Sequence, residues 1–173
     1  MRVLRERVFE FWKGSKMSEK IYIPEGEQAP ASQIAATIEA LAATIAARRE
    51  AGEESYTYRL LTGELDKPLK KVAEEAVEVG LAAKDADAAL YFAREAAEVV
   101  PGSELAEQLA AQAGAHVDHL RYEAADVVYH LLVVLERFGV SLDEFAAELN
   151  NRMTEAERPE GAVRLHEEFV RRR

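Results

Sequence analysis

The chain has no cysteine. A disulfide framework, a thiol nucleophile and a thiolate zinc site are therefore excluded, and a reducing, cytoplasmic setting is expected. Glycine and proline are scarce, nine and five in 173 residues. Few points along the chain can punctuate regular structure, so long elements are expected. Aromatic residues make up only 8%. No segment approaches the ~18–20 uninterrupted apolar residues of a membrane span, and the first fourteen residues are too charged for a secretory signal. Basic residues are outnumbered, 22 against 32 acids, for a formal charge of −10. A chain this acidic is a poor general ligand for nucleic acid, and it repels free polyphosphate unless cations bind first.

What is present is apolar and helix-forming. Apolar residues reach 49%, enough for a core, and alanine and glutamate are abundant. Residues 1–31 read as an N-terminal arm and linker. Val3, Leu4, Val8, Phe11 and Trp12 suit a short amphipathic helix, followed by the Pro/Gly-bearing "IYIPEGEQAP". A domain is expected over 32–155, then a tail over 156–173. Ser32 suits an N-cap before Ile34, Ile38, Leu41 and Ile45. Ser55 can cap a short turn that Gly63 ends, and Asp66 can cap the next helix, with Pro68 in its first turn. That helix, about 67–84, carries the apolar stripe Leu69, Val72, Ala76, Val79 and Ala83. Separate helices are expected over 86–99 and 103–113, with Gly114 as a break, and another over about 116–138. Gly139 suits a helix C-terminus, and Ser141 with Glu144 reads as a capping box. No strand pattern is found, so the fold class is all-α, most simply a bundle.

Two acidic clusters carry the chemical signal. At ~100° per residue, Glu74, Glu75 and Glu78 share one sector of a helix about 100° wide. Taken alone, this is most simply a solvated face. In "YEAADVVYHLLVVL", however, Glu123 and Asp126 lie i,i+3, with His130 in the same sector, beside a strongly apolar stripe. Carboxylates there are partly buried and need a partner. Two such clusters can face each other across a bundle, and oxygens without sulfur suit Mg²⁺ or Mn²⁺ over zinc. His116, His119 and Glu123 at i,i+3,i+7 offer a weaker transition-metal alternative. Tyr129 reads as core, and His130 as a cross-bundle hydrogen-bonding residue or a site member.

"KPLKKVAEEAVEVGLAAK" with "YEAADVVYHLLVVL" resembles the Glu-Glu-x-x-Glu … Glu-x-x-Asp signature of the all-α, MazG-like nucleoside-triphosphate pyrophosphatases. "SYTYRLLTGELDKPLKKV" narrows the resemblance to the phosphoribosyl-ATP pyrophosphohydrolases. It covers roughly residues 34–84 and 115–152. Residues 79–122 separate the clusters, where the family has a short connection, so a helical insert is expected at about 86–113. The resemblance implies Mg²⁺-dependent hydrolysis of phosphoribosyl-ATP to phosphoribosyl-AMP and pyrophosphate, the second step of histidine biosynthesis, with Mn²⁺ able to substitute. It implies Glu75, Glu78, Glu123 and Asp126 as metal ligands, with Glu74 as a further ligand or as the base that orients water; Glu74, Glu75 and Glu78 are thus the catalytic set. Lys71, Lys67, Arg59, Tyr56 and Lys84 are expected on the substrate, although Lys71 serves equally well as an i,i+4 partner of Glu75. It further implies a homodimer or higher homo-oligomer that completes the core, and no nucleic-acid or membrane partner. Two alternatives stand beside it: a house-cleaning pyrophosphatase of the same superfamily, and a helical scaffold without activity.

Overall fold

The computed structural model describes residues 33–170, together with Gly26 and Gln28. The expected N-terminal helix, the Ser32 cap and most of the linker lie outside the described residues. The chain divides into two compact units, Met1–Ile38 and Glu39–Arg173, and the packing below concerns the second. Helix α1 (Gln33–Ala47) straddles the boundary and leads into a 3-10 turn, Arg48–Glu50. It is followed by α2 (Tyr56–Thr62), α3 (Asp66–Val99), α4 (Glu104–Arg137) and α5 (Leu142–Asn150). A second 3-10 turn, Glu167–Phe169, lies near the end. No strand occurs among the described residues, so the all-α expectation holds.

Serine caps set the starts of three helices. Ser55, Ser103 and Ser141 each accept a hydrogen bond from the backbone N–H three residues on. Each such cap contributes about 1 kcal/mol. At Ser141 the box is complete, because Glu144 returns a bond to the Ser141 N–H at 2.8 Å. The end of α4 is a Schellman motif: Val140 N–H donates to Leu135 O and Gly139 N–H to Glu136 O. Gly139 sits at φ 68°, a conformation glycine adopts without Cβ strain. Asp66, expected as a cap, is instead the first helical residue, preceded by Leu65 with no side-chain cap. There its carboxylate still faces the positive end of the helix dipole.

The expected breaks near residue 85 and at Gly114 do not occur. Residues 66–99 and 104–137 form two unbroken 34-residue helices. Glycine inside a helix costs about 1 kcal/mol, and the surrounding alanines and the partner helix outweigh it. The two helices form an antiparallel hairpin that turns at Val100–Ser103, where Gly102 takes φ 72°. Residues 86–113 are thus the distal turns of both helices and the hairpin tip. The seam is lined with small residues: Ala82, Ala86, Ala93 and Ala96 on α3, and Ala106 and Ala113 on α4, are all buried. Among the described elements, most tertiary contact runs along this hairpin.

The buried face of α3 is rotated from the expected stripe. Pro68, Glu75, Ala82 and Ala86 are buried, while Leu69, Ala76 and Ala83 are exposed. Glu75 therefore lies on the core line rather than beside it. On α4 the buried set likewise includes Glu123 and His130, with Leu132 and Val133. Arginine clamps fix α2 and the first 3-10 turn against the end of α4. Arg137 donates to Leu60 O and Gly63 O at 2.8 and 2.6 Å, and Arg49 binds the Glu136 carboxylate and carbonyl at 2.8 and 2.6 Å.

Candidate active site

The hairpin brings the two acidic segments together. Glu75 and Glu78, one turn apart on α3, and Glu123, on α4, each place a carboxylate oxygen within 4.8 Å of the others. Glu75 and Glu123 are 4% and 7% exposed, while Glu78 lies open to solvent. Burying two carboxylates is costly unless cations or donors answer them. Lys71 Nζ lies 2.8 Å from Glu75 Oε1 and 3.1 Å from Glu74 Oε2. His119 Nδ1 lies 3.2 Å from Glu123 Oε1, and His130 Nδ1 lies 3.8 Å from Glu75 Oε1.

These charges act on each other in a definite order. The Lys71 hydrogen bond holds the Glu75 carboxyl below the ordinary carboxylate range, against the opposing effect of burial. Glu78 moves the other way. Its hydrogen bond to Glu75, then burial and the charges of Glu75 and Glu123, push its carboxyl up. Lys71 is raised well above its usual value by the two glutamates. The cluster thus holds more negative charge than its neighbours neutralise, and Glu78 gives up its proton less readily than an ordinary carboxyl. Three oxygens from two helices, with no sulfur, suit a hard divalent ion.

The other expected residues are placed as follows. Asp126 is half-buried on α4, one turn past Glu123, outside the group whose oxygens lie within 4.8 Å of one another. Its carbonyl accepts from His130 at 2.9 Å, and its charge reaches the Tyr56 phenol. Glu74 turns to Lys70 and Lys71, at 3.3 and 3.1 Å. Tyr56, on the first turn of α2, places its hydroxyl 3.2 Å from His130 Nε2 and within reach of the charges of Lys71 and Glu75. Arg59 and Lys67 both line an open cavity of about 720 Å³ beside Tyr58 and Gly63. Arg59 is held there by the Glu53 and Glu54 carbonyls at 2.6 and 3.1 Å. Lys84 is exposed, about 120° around α3 from Glu78.

Of the alternative His116, His119 and Glu123 group, His119 answers Glu123 directly, whereas His116 joins no group that could hold a metal among the described residues. The dipeptides Tyr56-Thr57 and Tyr129-His130 also cross-link α2 to α4, with Thr57 Oγ1 and Tyr129 Oη 2.7 Å apart. The cross-bundle bond of His130 was expected; its partner Tyr56, and the Thr57–Tyr129 pair beside it, were not.

Comparison with known proteins meets this geometry in the same segments. The model of the phosphoribosyl-ATP pyrophosphohydrolase family matches residues 38–153, from α1 to just past α5. A phosphoribosyl-ATP pyrophosphatase of Methylobacterium nodulans is 37% identical over 112 residues, 65% of this chain and 78% of the relative. One from Erythrobacter litoralis is 38% identical over 117 residues, 67% and 85% of the two chains. The histidine biosynthesis bifunctional protein HisIE of Halalkalibacterium halodurans is 37% identical over 119 residues, 69% of this chain and 42% of its own. No solved structure matches the chain. The match takes in both acidic segments and the long hairpin that joins them, and the chain belongs to the phosphoribosyl-ATP pyrophosphohydrolase family.

Proposed function

We propose that the chain hydrolyses phosphoribosyl-ATP to phosphoribosyl-AMP and pyrophosphate, as a step of histidine biosynthesis, with Mg²⁺ as cofactor and Mn²⁺ able to replace it. The observation that carries this reading is the convergence of Glu75, Glu78 and Glu123 from two helices onto one point. Family membership and the printed names of the relatives support the substrate.

Water attacks the α-phosphorus, the α–β anhydride bond breaks, and pyrophosphate leaves with the electron pair. The triphosphate is strongly anionic and this chain is acidic, so attack is opposed by charge unless cations intervene. Mg²⁺ would supply that neutralisation, together with Lewis-acid activation of the water. Glu75, Glu78 and Glu123 would hold it, with Asp126 completing the set. Glu74, on the next position of α3, serves as a further ligand or orients the attacking water. Lys71 is bound to Glu74 and Glu75 while substrate is absent and swings to phosphate oxygens when it arrives. Arg59 and Lys67 offer positive charge along the cavity that they line with Tyr58 and Gly63, and Lys84 offers it further along α3. Tyr56 faces the nucleotide.

We also propose a homodimer. Leu69, Val77 and Leu81 of α3 are exposed, the last two at 62%, as is Tyr122 of α4 at 65%. Apolar side chains of this size left in water are what a second copy packed on the hairpin would cover. A cytoplasmic location fits a chain in which no described helix is long and apolar enough to cross a membrane.

The test is product analysis. Purified protein with Mg²⁺ is given phosphoribosyl-ATP, dCTP or dUTP in parallel. Release of pyrophosphate from phosphoribosyl-ATP alone, or at least a hundredfold faster, supports the reading. Preference for the deoxynucleotides would make it a house-cleaning enzyme, and no release from any of them would favour a scaffold.

A further inference from the structure

Helices α2 and α4 meet through two consecutive pairs in step: Tyr56 with His130, and Thr57 with Tyr129. The first pair has a definite polarity when the imidazole is neutral. His130 is buried, 5% exposed, and its Nδ1 lies 2.9 Å from the Asp126 carbonyl oxygen. A carbonyl oxygen only accepts, so Nδ1 carries the hydrogen. In the neutral ring Nε2 then has a lone pair and no hydrogen. Toward that neutral ring the hydroxyl 3.2 Å away, that of Tyr56, is the donor. Burial raises the Tyr56 pKa, so the phenol keeps its proton at neutral pH. The charged or titratable groups around it are Lys71 and Glu75 on α3 and Asp126 and Tyr129 on α4.

A phenol has one hydrogen. Once that hydrogen is given to His130, only lone pairs remain for anything bound in the site. Phosphate oxygens at neutral pH also only accept, so Tyr56 has nothing to offer them. It can answer an O–H donor, and the ribose hydroxyls are the O–H donors of the substrate. We propose that His130 is a positioning residue that orients the Tyr56 hydroxyl so that its oxygen accepts a hydrogen bond from a ribose hydroxyl of the nucleotide. This rests on the reading of the site given above, and it assigns Tyr56 to the sugar and not to the phosphates.

The substitutions separate the two ends of the imidazole. His130→Asn keeps an amide near the Nδ1 position and ends short of Tyr56. His130→Gln extends an amide oxygen to the Nε2 position and restores an acceptor for the phenol. Tyr56→Phe removes the hydroxyl. Steady-state kinetics with phosphoribosyl-ATP, product inhibition by pyrophosphate and ¹⁵N-histidine NMR are measured on each, with thermal unfolding to confirm the fold. Tyr56→Phe should raise KM about tenfold, the worth of one hydrogen bond, and leave the pyrophosphate inhibition constant within about twofold. His130→Asn should reproduce that loss, and His130→Gln should recover most of it. The double variant Y56F/H130N should be no worse than either single one. In the NMR spectrum, the histidine whose signals vanish in H130Q should carry its hydrogen on Nδ1, and its Nε2 signal should move in Y56F.

A pyrophosphate constant that weakens in step with KM in Y56F would assign the phenol to phosphate and overturn the proposal. So would equal kinetics for H130N and H130Q, or a hydrogen found on Nε2. Should H130N fail to fold, Y56F kinetics and the NMR signature decide alone. Glu78→Gln keeps the two levels apart. If that variant is as active as wild type, the reading of the site itself fails; if it is inactive while Y56F matches wild type, only the role of Tyr56 and His130 fails.

Discussion

Glu75 of α3 and Glu123 of α4 are both withdrawn from water, and their carboxylate oxygens lie within 4.8 Å of each other at the seam of the hairpin. Two like charges in that position oppose folding unless something answers them. Lys71 and His119 do so in part. Glu78 adds a third carboxyl, and its raised pKa marks the remaining imbalance.

Replacing Glu78 separates stability from activity. Glu78→Gln should keep the fold and lower turnover by at least about a hundredfold, since even outer-sphere partners of a metal are worth about 10–100-fold. The same change should raise the thermal midpoint of the metal-free protein at neutral pH. The reason is the sign of the shift. A carboxyl whose pKa is raised by folding stabilises the fold below its unfolded pKa, and that contribution is lost as pH rises through the folded pKa. Above that window an ionised Glu78 repels Glu75 and Glu123, and a glutamine does not. A lower midpoint for the variant, measured without divalent ions at pH 7–8, would contradict this.

Metal affinity should follow the same proton. A cation displaces it from Glu78, so Mg²⁺ binding weakens as pH falls into the raised titration range of this carboxyl. Calorimetry at a pH within that titration range, in buffers of different ionisation heat, should show proton release on binding, and the part due to this carboxyl should vanish in Glu78→Gln.

Lys71→Met should move two quantities in opposite directions. Removing the cation 2.8 Å from Glu75 leaves a buried carboxylate with one donor fewer, and the metal-free fold should lose about 1–2 kcal/mol. Affinity for Mg²⁺ should rise roughly tenfold, because the ammonium no longer competes for the same oxygens. Turnover should fall all the same if Lys71 transfers to the triphosphate. Weaker Mg²⁺ binding in the variant would sink the idea of competition.

Much of the path to this site is legible in the sequence. Ser55, Ser103, Ser141 and Gly139 are local signals, and each acts where a short-range hydrogen bond or a positive φ can decide. The pairing of the two acidic segments is legible too, because residue type and helical spacing restrict the chemistry. The rotation of α3 is not. An alanine-rich helix has a weak apolar contrast, so pattern alone cannot tell a face through Val72 and Ala76 from one through Glu75 and Ala82. The continuity of α3 past residue 85 and of α4 through Gly114 also depends on the partner helix, which no local rule contains. The Tyr56–His130 bond joins side chains far apart in the chain and leaves no periodic trace.

The narrow seam predicts its own sensitivity. Ala93 is 1% exposed on α3, among the alanines that line the hairpin. Ala93→Leu should destabilise the protein by about 1–3 kcal/mol through overpacking. Gly63→Ala should cost a similar amount for a different reason, since its new Cβ would sit 2.6 Å from the Arg59 carbonyl oxygen and backbone must shift. Urea unfolding of both variants reads these directly. A midpoint within error of wild type for Ala93→Leu would mean the two helices do not approach as described.

The most direct measurement is diffraction from crystals grown with Mn²⁺, using its anomalous signal. One or more Mn²⁺ ions should lie within coordinating distance of Glu75, Glu78 and Glu123, about 2.2 Å from their oxygens, as hard divalent ions require. Anomalous peaks elsewhere, with this cluster vacant in an enzyme that still turns over, would contradict the account.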